Sequence, residues 1–317
     1  MYMHTVRPSR VVAAFTSLVV LLLVLLSGCA GRPEPAALNY AELLYDEQGI
    51  FLQVKPSENL SLAHKMLSAL GMDPAELDTV LTRTHIAYCY FDLRVDGVSY
   101  SIIGQGKYPE TIAALSLRSN TDWQRESSDL GRSAKVRWWS NQIQGVKLSF
   151  LQDNTVAITN GSMKELLQRI YYGPVNRLPD TAVDRVNTGV LGIYSRNPDF
   201  GQQEPARGPV AILFSKLKEV GMSFTAQEDD LFTIDAEYLC TDNTVARSMY
   251  LVLRLALING LRSSGGGYDL SELISKDPVI LQDNQVVLRN YPITLENMDW
   301  FFQQALPYIR IDVHLEE

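Results

Sequence analysis

Leu151-Gln152-Asp153-Asn154 recurs as Leu281-Gln282-Asp283-Asn284, 130 residues further along the chain. Each copy is followed by a β-rich run, Thr155 to Thr159 and Gln285 to Arg289, and each run by a segment with helical periodicity. Four identical residues alone carry little weight. The elements that precede each copy carry more, because they follow the same order at nearly the same spacing.

Working outward, the first copy begins with a strand at Ile50–Lys55. Asn59 or Ser61 caps a helix with Leu60, Ala63, Leu67 and Leu70 on one stripe, and Gly71 ends it. Asp73-Pro74 opens a second helix. A hairpin is expected around Asp96-Gly97, then a helix from Tyr108, strands at 136–142 and 146–160, and a helix from Met163 to Tyr172. The second copy repeats this with a strand at Gly189–Ser195 and a helix at Pro209–Val220 stopped by Gly221. A hairpin around Glu228-Asp229-Asp230, a long helix at Asn243–Leu261, a hairpin at Pro278–Leu288 and a helix at Thr294–Leu306 follow. Tyr308–Leu315 alternates as one more strand.

The expected fold class is therefore α+β. It has two tandem copies of a split-βαβ-like unit, with antiparallel sheets carrying helices on one face. The units span 45–173 and 184–317, with a linker at 174–183. Two such copies would leave a ligand groove between them.

The start of the chain reads differently. Arg7 and Arg10 precede Val11 to Leu26, an uncharged apolar run of about 16 residues, and Leu26-Ser27-Gly28-Cys29 closes it. This order resembles the signal peptide and lipobox of bacterial lipoproteins. The resemblance implies a signal peptide at 1–28, cleavage between Gly28 and Cys29, and lipid on Cys29. It also implies a tether at 29–44 and a membrane contact through that lipid. More than one acyl chain is what stable attachment requires. The other reading is an uncleaved membrane helix; either way the bulk of the chain lies outside the cytoplasm. Ala30 stands where an Asp would resemble an inner-membrane retention signal, which favours the outer membrane in a Gram-negative cell.

The formal net charge is −8, and loss of Arg7 and Arg10 with the signal segment makes the remainder more acidic. That argues against a nucleic-acid partner. Of three cysteines, Cys89 and Cys240 remain beyond Cys29, and both a disulfide and two buried thiols fit their strand-like surroundings.

Candidate chemistry is sparse. His64, His85 and His314 fall in no metal spacing, so no metal and no cofactor is expected. Glu228-Asp229-Asp230 reads as a solvated turn and Ser263–Gly267 as a flexible connector. No GxSxG elbow occurs. Trp138 and Trp139 point to opposite faces of a strand, so one is a candidate partner or ligand contact and cross-unit packing is the other reading. The 243–261 helix carries Arg247, Arg254 and Arg262 near one stripe; it fits a core helix with a wet edge, or one lying in a membrane interface. The expectation is a non-catalytic envelope module binding an envelope protein or a small apolar ligand, the other class being an envelope hydrolase.

Overall fold

Gly49–Val54 is the first strand, β1, and it is buried from Ile50 to Val54 without alternation. A strand buried on both sides belongs at the centre of a sheet covered on both faces. The computed structural model describes residues 41–44, 49–69, 74–92, 99–130, 135–151, 154–173, 178–196, 198, 213, 215–228, 230–263 and 277–298. They form a single twelve-stranded sheet within one unit, Tyr40–Glu317.

In chain order the elements are α1 (Ala41–Leu44), β1, α2 (Leu60–Ala69), α3 (Pro74–Leu81), β2 (Thr84–Asp92), β3 (Ser99–Gly106), α4 (Glu110–Ser119) and β4 (Trp123–Asp129). Then come β5 (Lys135–Asn141), β6 (Lys147–Phe150), β7 (Thr155–Thr159), α5 (Met163–Tyr172), α6 (Asp180–Asn187) and β8 (Leu191–Arg196). The last are β9 (Leu217–Glu228), β10 (Leu231–Cys240), α7 (Asn243–Ser263), β11 (Val279–Gln282) and β12 (Gln285–Thr294). The sheet order is β11-β12-β10-β9-β8-β1-β2-β3-β7-β6-β5-β4. Every pairing is antiparallel.

Read outward from the central β1–β8 pair, both halves run strand, hairpin, then a strand pair joined at the Leu-Gln-Asp-Asn turn. One row of paired residues crosses both halves: Ile158, Ile102, Cys89, Leu52, Ile193, Met222, Ala236 and Leu288. Its ends, Ile158 and Leu288, are again 130 residues apart. The backbone N–H of Gly106, last in β3, donates to the Asn154 carbonyl at 3.1 Å; that of Cys240, last in β10, donates to the Asn284 carbonyl at 2.8 Å. Among the described residues β4 and β5 extend the first half only.

Two cores lie on opposite faces. Ile50, Leu52 and Val54 of β1 join Cys89, Met222, Phe224 and Phe232 under Leu62 and Met66 of α2 and Val245 and Met249 of α7. Phe51, between them in β1, points the other way. It joins Tyr88, Tyr90, Ile103, Trp138 and Tyr194 under Met163, Leu166 and Leu167 of α5 and Val183 and Val186 of α6.

Several expectations need correction. Helices cover both faces, not one, because the central strands carry apolar residues on both sides. The split-βαβ order is replaced by antiparallel neighbours: two helices, α2 and α3, stand between β1 and β2, and the chain returns antiparallel where a single crossover helix would give a parallel strand. The linker range ends inside α6, whose Ala182, Val183 and Val186 stripe is short and follows Pro179. Leu217–Val220 belongs to β9, not to a helix, and Gly221 continues that strand. β4 went unread because Trp-Gln-Arg-Glu-Ser-Ser-Asp has no apolar alternation. Thr294 closes β12 rather than capping a helix. Cys29, the tether up to residue 40, the Asp96-Gly97 turn, residues 264–267, Trp300 and Tyr308–Leu315 lie outside the described residues.

Candidate functional site

Among the described residues the halves meet through a strand pair rather than across a gap between two sheets. It is the β1–β8 ladder, Gly49↔Arg196 through Val54↔Leu191, and it is among the most buried parts of the sheet. Trp138 and Trp139 are both 8% exposed, so neither presents an open ring to a partner. They do face opposite ways. Trp138 packs into the second core and donates from Nε1 to Glu126 Oε2 at 3.1 Å, while the Arg125 guanidinium lies 5.9 Å from the Trp139 ring centre.

Exposed apolar side chains are spread over several elements, and two of them, Leu251 and Leu255, stand one turn apart on α7. Asp242 caps it, its Oδ1 accepting from the backbone N–H of Thr244 at 2.8 Å and of Val245 at 3.0 Å. The Val245 and Thr244 bonds hold the Asp242 carboxyl below its ordinary range, as an N-cap should. Val245, Ala246 and Met249 face the sheet. On one flank the Tyr250 hydroxyl donates to Asp277 Oδ2 at 3.0 Å, and Arg254 donates to that hydroxyl at 3.0 Å. The side turned away from the sheet, next to Arg254, carries Arg247, Leu251, Leu255 and Ile258, spaced by three and four residues into one stripe. Leu251 is 58% exposed and Leu255 60%. Among the described residues no helix is long and apolar enough to cross a membrane.

A second polar feature was not legible in sequence. Arg185 of α6 forms an ion pair with Glu237 of β10, which also receives Arg289 at 2.9 Å and Gln285 at 3.1 Å from β12. Those partners are 52 or fewer residues from Glu237, yet only the strand pairing brings them together. Beneath α6 lies Gln53, fully buried with neither amide atom hydrogen-bonded. It stands between Tyr88 and Gly192 in the ladders, and Tyr88 donates to Asn187 of α6 at 3.3 Å. The polar letter inside Ile-Phe-Leu-Gln-Val was the signal available for it.

Burial pushes the Tyr88 hydroxyl up to about 12 and the Cys89 thiol up to about 12. Burial, then the Asp242 carboxylate, pushes Cys240 up to about 11. Both thiols are free. No group of three or more His, Cys, Asp or Glu side chains able to hold a metal occurs among the described residues.

These features define an α+β scaffold with one antiparallel sheet, helices on both faces and an apolar stripe on its longest described helix. No family model and no curated protein matches the chain. Solved structures do. Crystal form III of TP0453 matches with a TM-score of 0.53 at 13% identity, over 83% of this chain and 96% of that one. Crystal forms IV and I match with TM-scores of 0.52 at the same identity, covering 82% and 83% of this chain. At that identity the likeness speaks for the fold.

Proposed function

We propose that this protein is a lipid-anchored module of the bacterial envelope, outside the cytoplasm and attached through Cys29, that acts by binding rather than by catalysis. The outer stripe of α7 is its contact surface. The observation that carries this is the exposure of Leu251 and Leu255 on a helix whose inner face is already satisfied by the core. A contiguous apolar stripe left in water marks an interaction site more than scattered single residues do. The outer membrane is the favoured location, through Ala30. We further read the two halves as copies of one unit, supported by the repeated turn, the matching strand order and the equivalent Asn154 and Asn284 bonds.

A second reading places α7 in the bilayer interface. Arg247 on the same stripe as the exposed leucines favours it, since a basic amphipathic face suits anionic headgroups. Both readings are tested with the chain from residue 29 onward bearing Cys29→Ser. Flotation with vesicles of phosphatidylcholine and anionic phosphatidylglycerol, abolished by Leu251→Ser with Leu255→Ser, supports the bilayer. A site-specific photo-crosslink from position 251 to one envelope protein in cells, without a matching product from exposed Ile143, supports a protein partner. Loss of neither flotation nor crosslinking in the serine variant removes α7 as the contact surface.

A further inference from the structure

The start of the described chain and the exposed stripe of α7 lie on opposite faces of the sheet. Ala41, first in α1, is fully buried in the second core, and α1 packs on α5, α6 and β2. α7 packs Val245, Ala246 and Met249 into the first core, over β10, β11 and β12, and its Leu251 and Leu255 look out from that face. From β2 to β11 is six strand spacings, about 29 Å. A helix layer about 10 Å thick stands on each face. A path from Ala41 round the β11 end to the stripe therefore measures about 50 Å. Cys29 lies twelve residues before Ala41, a reach of about 43 Å fully drawn out and about 19 Å as a relaxed coil.

We propose that lipid on Cys29 holds the second-core face toward its own bilayer, so that the α7 stripe faces away from that bilayer and seats in a groove on a protein partner. The inference rests on the lipid attachment and the α7 contact proposed above. Other features select a protein groove as the occupant. Leu251, Leu255 and half-buried Ile258 stand at i, i+4 and i+7, the spacing by which a helix lays a narrow ridge into a groove. A helix lying in a bilayer interface carries instead a strongly basic polar face. Here Arg254 is engaged by Tyr250 and Asp277, while Arg247 stands on the stripe itself. The chain is acidic, net −8, which sets it against an anionic lipid surface. The partner groove is therefore apolar, with a carboxylate placed to meet Arg247.

The test uses the lipidated chain, extracted from membranes with its acyl mass verified, on vesicles of phosphatidylcholine and phosphatidylglycerol that carry a headgroup energy acceptor. A donor dye is placed at Leu251→Cys, or at Lys164→Cys on the exposed side of α5, while buried Cys89 and Cys240 stay unlabelled. Transfer is expected to be at least about twofold higher from 164 than from 251, because about 20 Å separates the two helix layers. Leu255→Cys replaces Leu251→Cys if the latter folds poorly. Equal or higher transfer from 251 overturns the proposal. So does transfer from 251 to acceptor in added protein-free vesicles, which would make a second membrane the occupant. In cells, the photo-crosslink from position 251 to an envelope protein is expected to fall at least about fivefold with Arg247→Glu and to return with Arg247→Lys. A yield unmoved by Arg247→Glu overturns the acidic groove. A chain without acyl mass overturns this inference together with the lipid reading beneath it, whereas a reversed order of transfer on a lipidated chain removes this inference alone.

Discussion

Gln53 sits in the middle of the sheet with both amide atoms unpartnered. A buried polar group without a hydrogen bond costs about 1–3 kcal/mol, more than its pairing would have contributed. Gln53→Leu is therefore expected to raise stability, by about 1–2 kcal/mol in denaturant unfolding. Unchanged or lower stability would show that the amide is satisfied in solution. The two thiols give the complementary case, buried and comfortable as neutral groups. In the unfolded chain they ionise near their ordinary value of 9.0, but folded only near about 12 for Cys89 and about 11 for Cys240. Above pH 9 the unfolded state has therefore released more protons than the folded one, and stability falls with rising pH. Their contribution is full below about 9 and is lost by about 12. Both thiols should resist a thiol reagent at pH 8 and react on unfolding; rapid labelling of the native protein would contradict their burial.

At the scale of elements, α6 holds to the sheet by two contacts of different strength. A side chain at Gly192 would collide with the backbone carbonyl of Val186, so Gly192→Ala forces α6 away from β8. Overpacking of that kind costs about 1–3 kcal/mol. A side chain at Gly221 first meets Arg185, 2.7 Å from its Cδ, and that flexible side chain can swing aside. Gly221→Val therefore loses the Arg185–Glu237 pair and little else, under about 1 kcal/mol. The double variant Gly221→Val with Arg185→Ala should be no less stable than Gly221→Val alone; an additive loss would mean that β9 itself is disturbed. For α7, Asp242→Ala should lower the melting temperature and fray the helix start, read by amide exchange at Thr244 and Val245.

The legibility of the elements followed the same physics. α5 was read to its ends because Ser162, the stripe of Met163, Leu166 and Leu167, and Gly173 are all local signals. The β9–β10 hairpin was visible through its alternation, as in β10. β4 was hidden because an edge strand buries little and needs no apolar pattern. The start of β9 was misread because Gly221 looks like a helix stop, whereas it clears space for Arg185 from another element. Leu251 and Leu255 were visible as apolar residues, but only the packed inner face of α7 shows that they remain outside. Neither Trp138 nor Trp139 is an open surface candidate, because Trp138 packs into the second core and Trp139, also 8% exposed, lies under the Arg125 guanidinium.

At the scale of the whole molecule, the repeated Leu-Gln-Asp-Asn falls at corresponding places, after β6 and at β11–β12, but does not show that the strands join in one sheet. Two separate units with a groove were expected; instead β1 and β8 pair, and the halves share cores on both faces. The proposed account therefore works through surfaces, the outer stripe of α7 and the proposed lipid attachment at Cys29. The account stands on that attachment, because lipid on Cys29 is the membrane contact it proposes for the whole chain. Intact mass of the protein extracted from membranes of its own cells, beside a Cys29→Ser variant, tests it. The account predicts a chain beginning at Cys29 with added acyl mass, absent from the variant. A chain beginning at Met1 without lipid would contradict it and return the apolar start to an ordinary membrane helix.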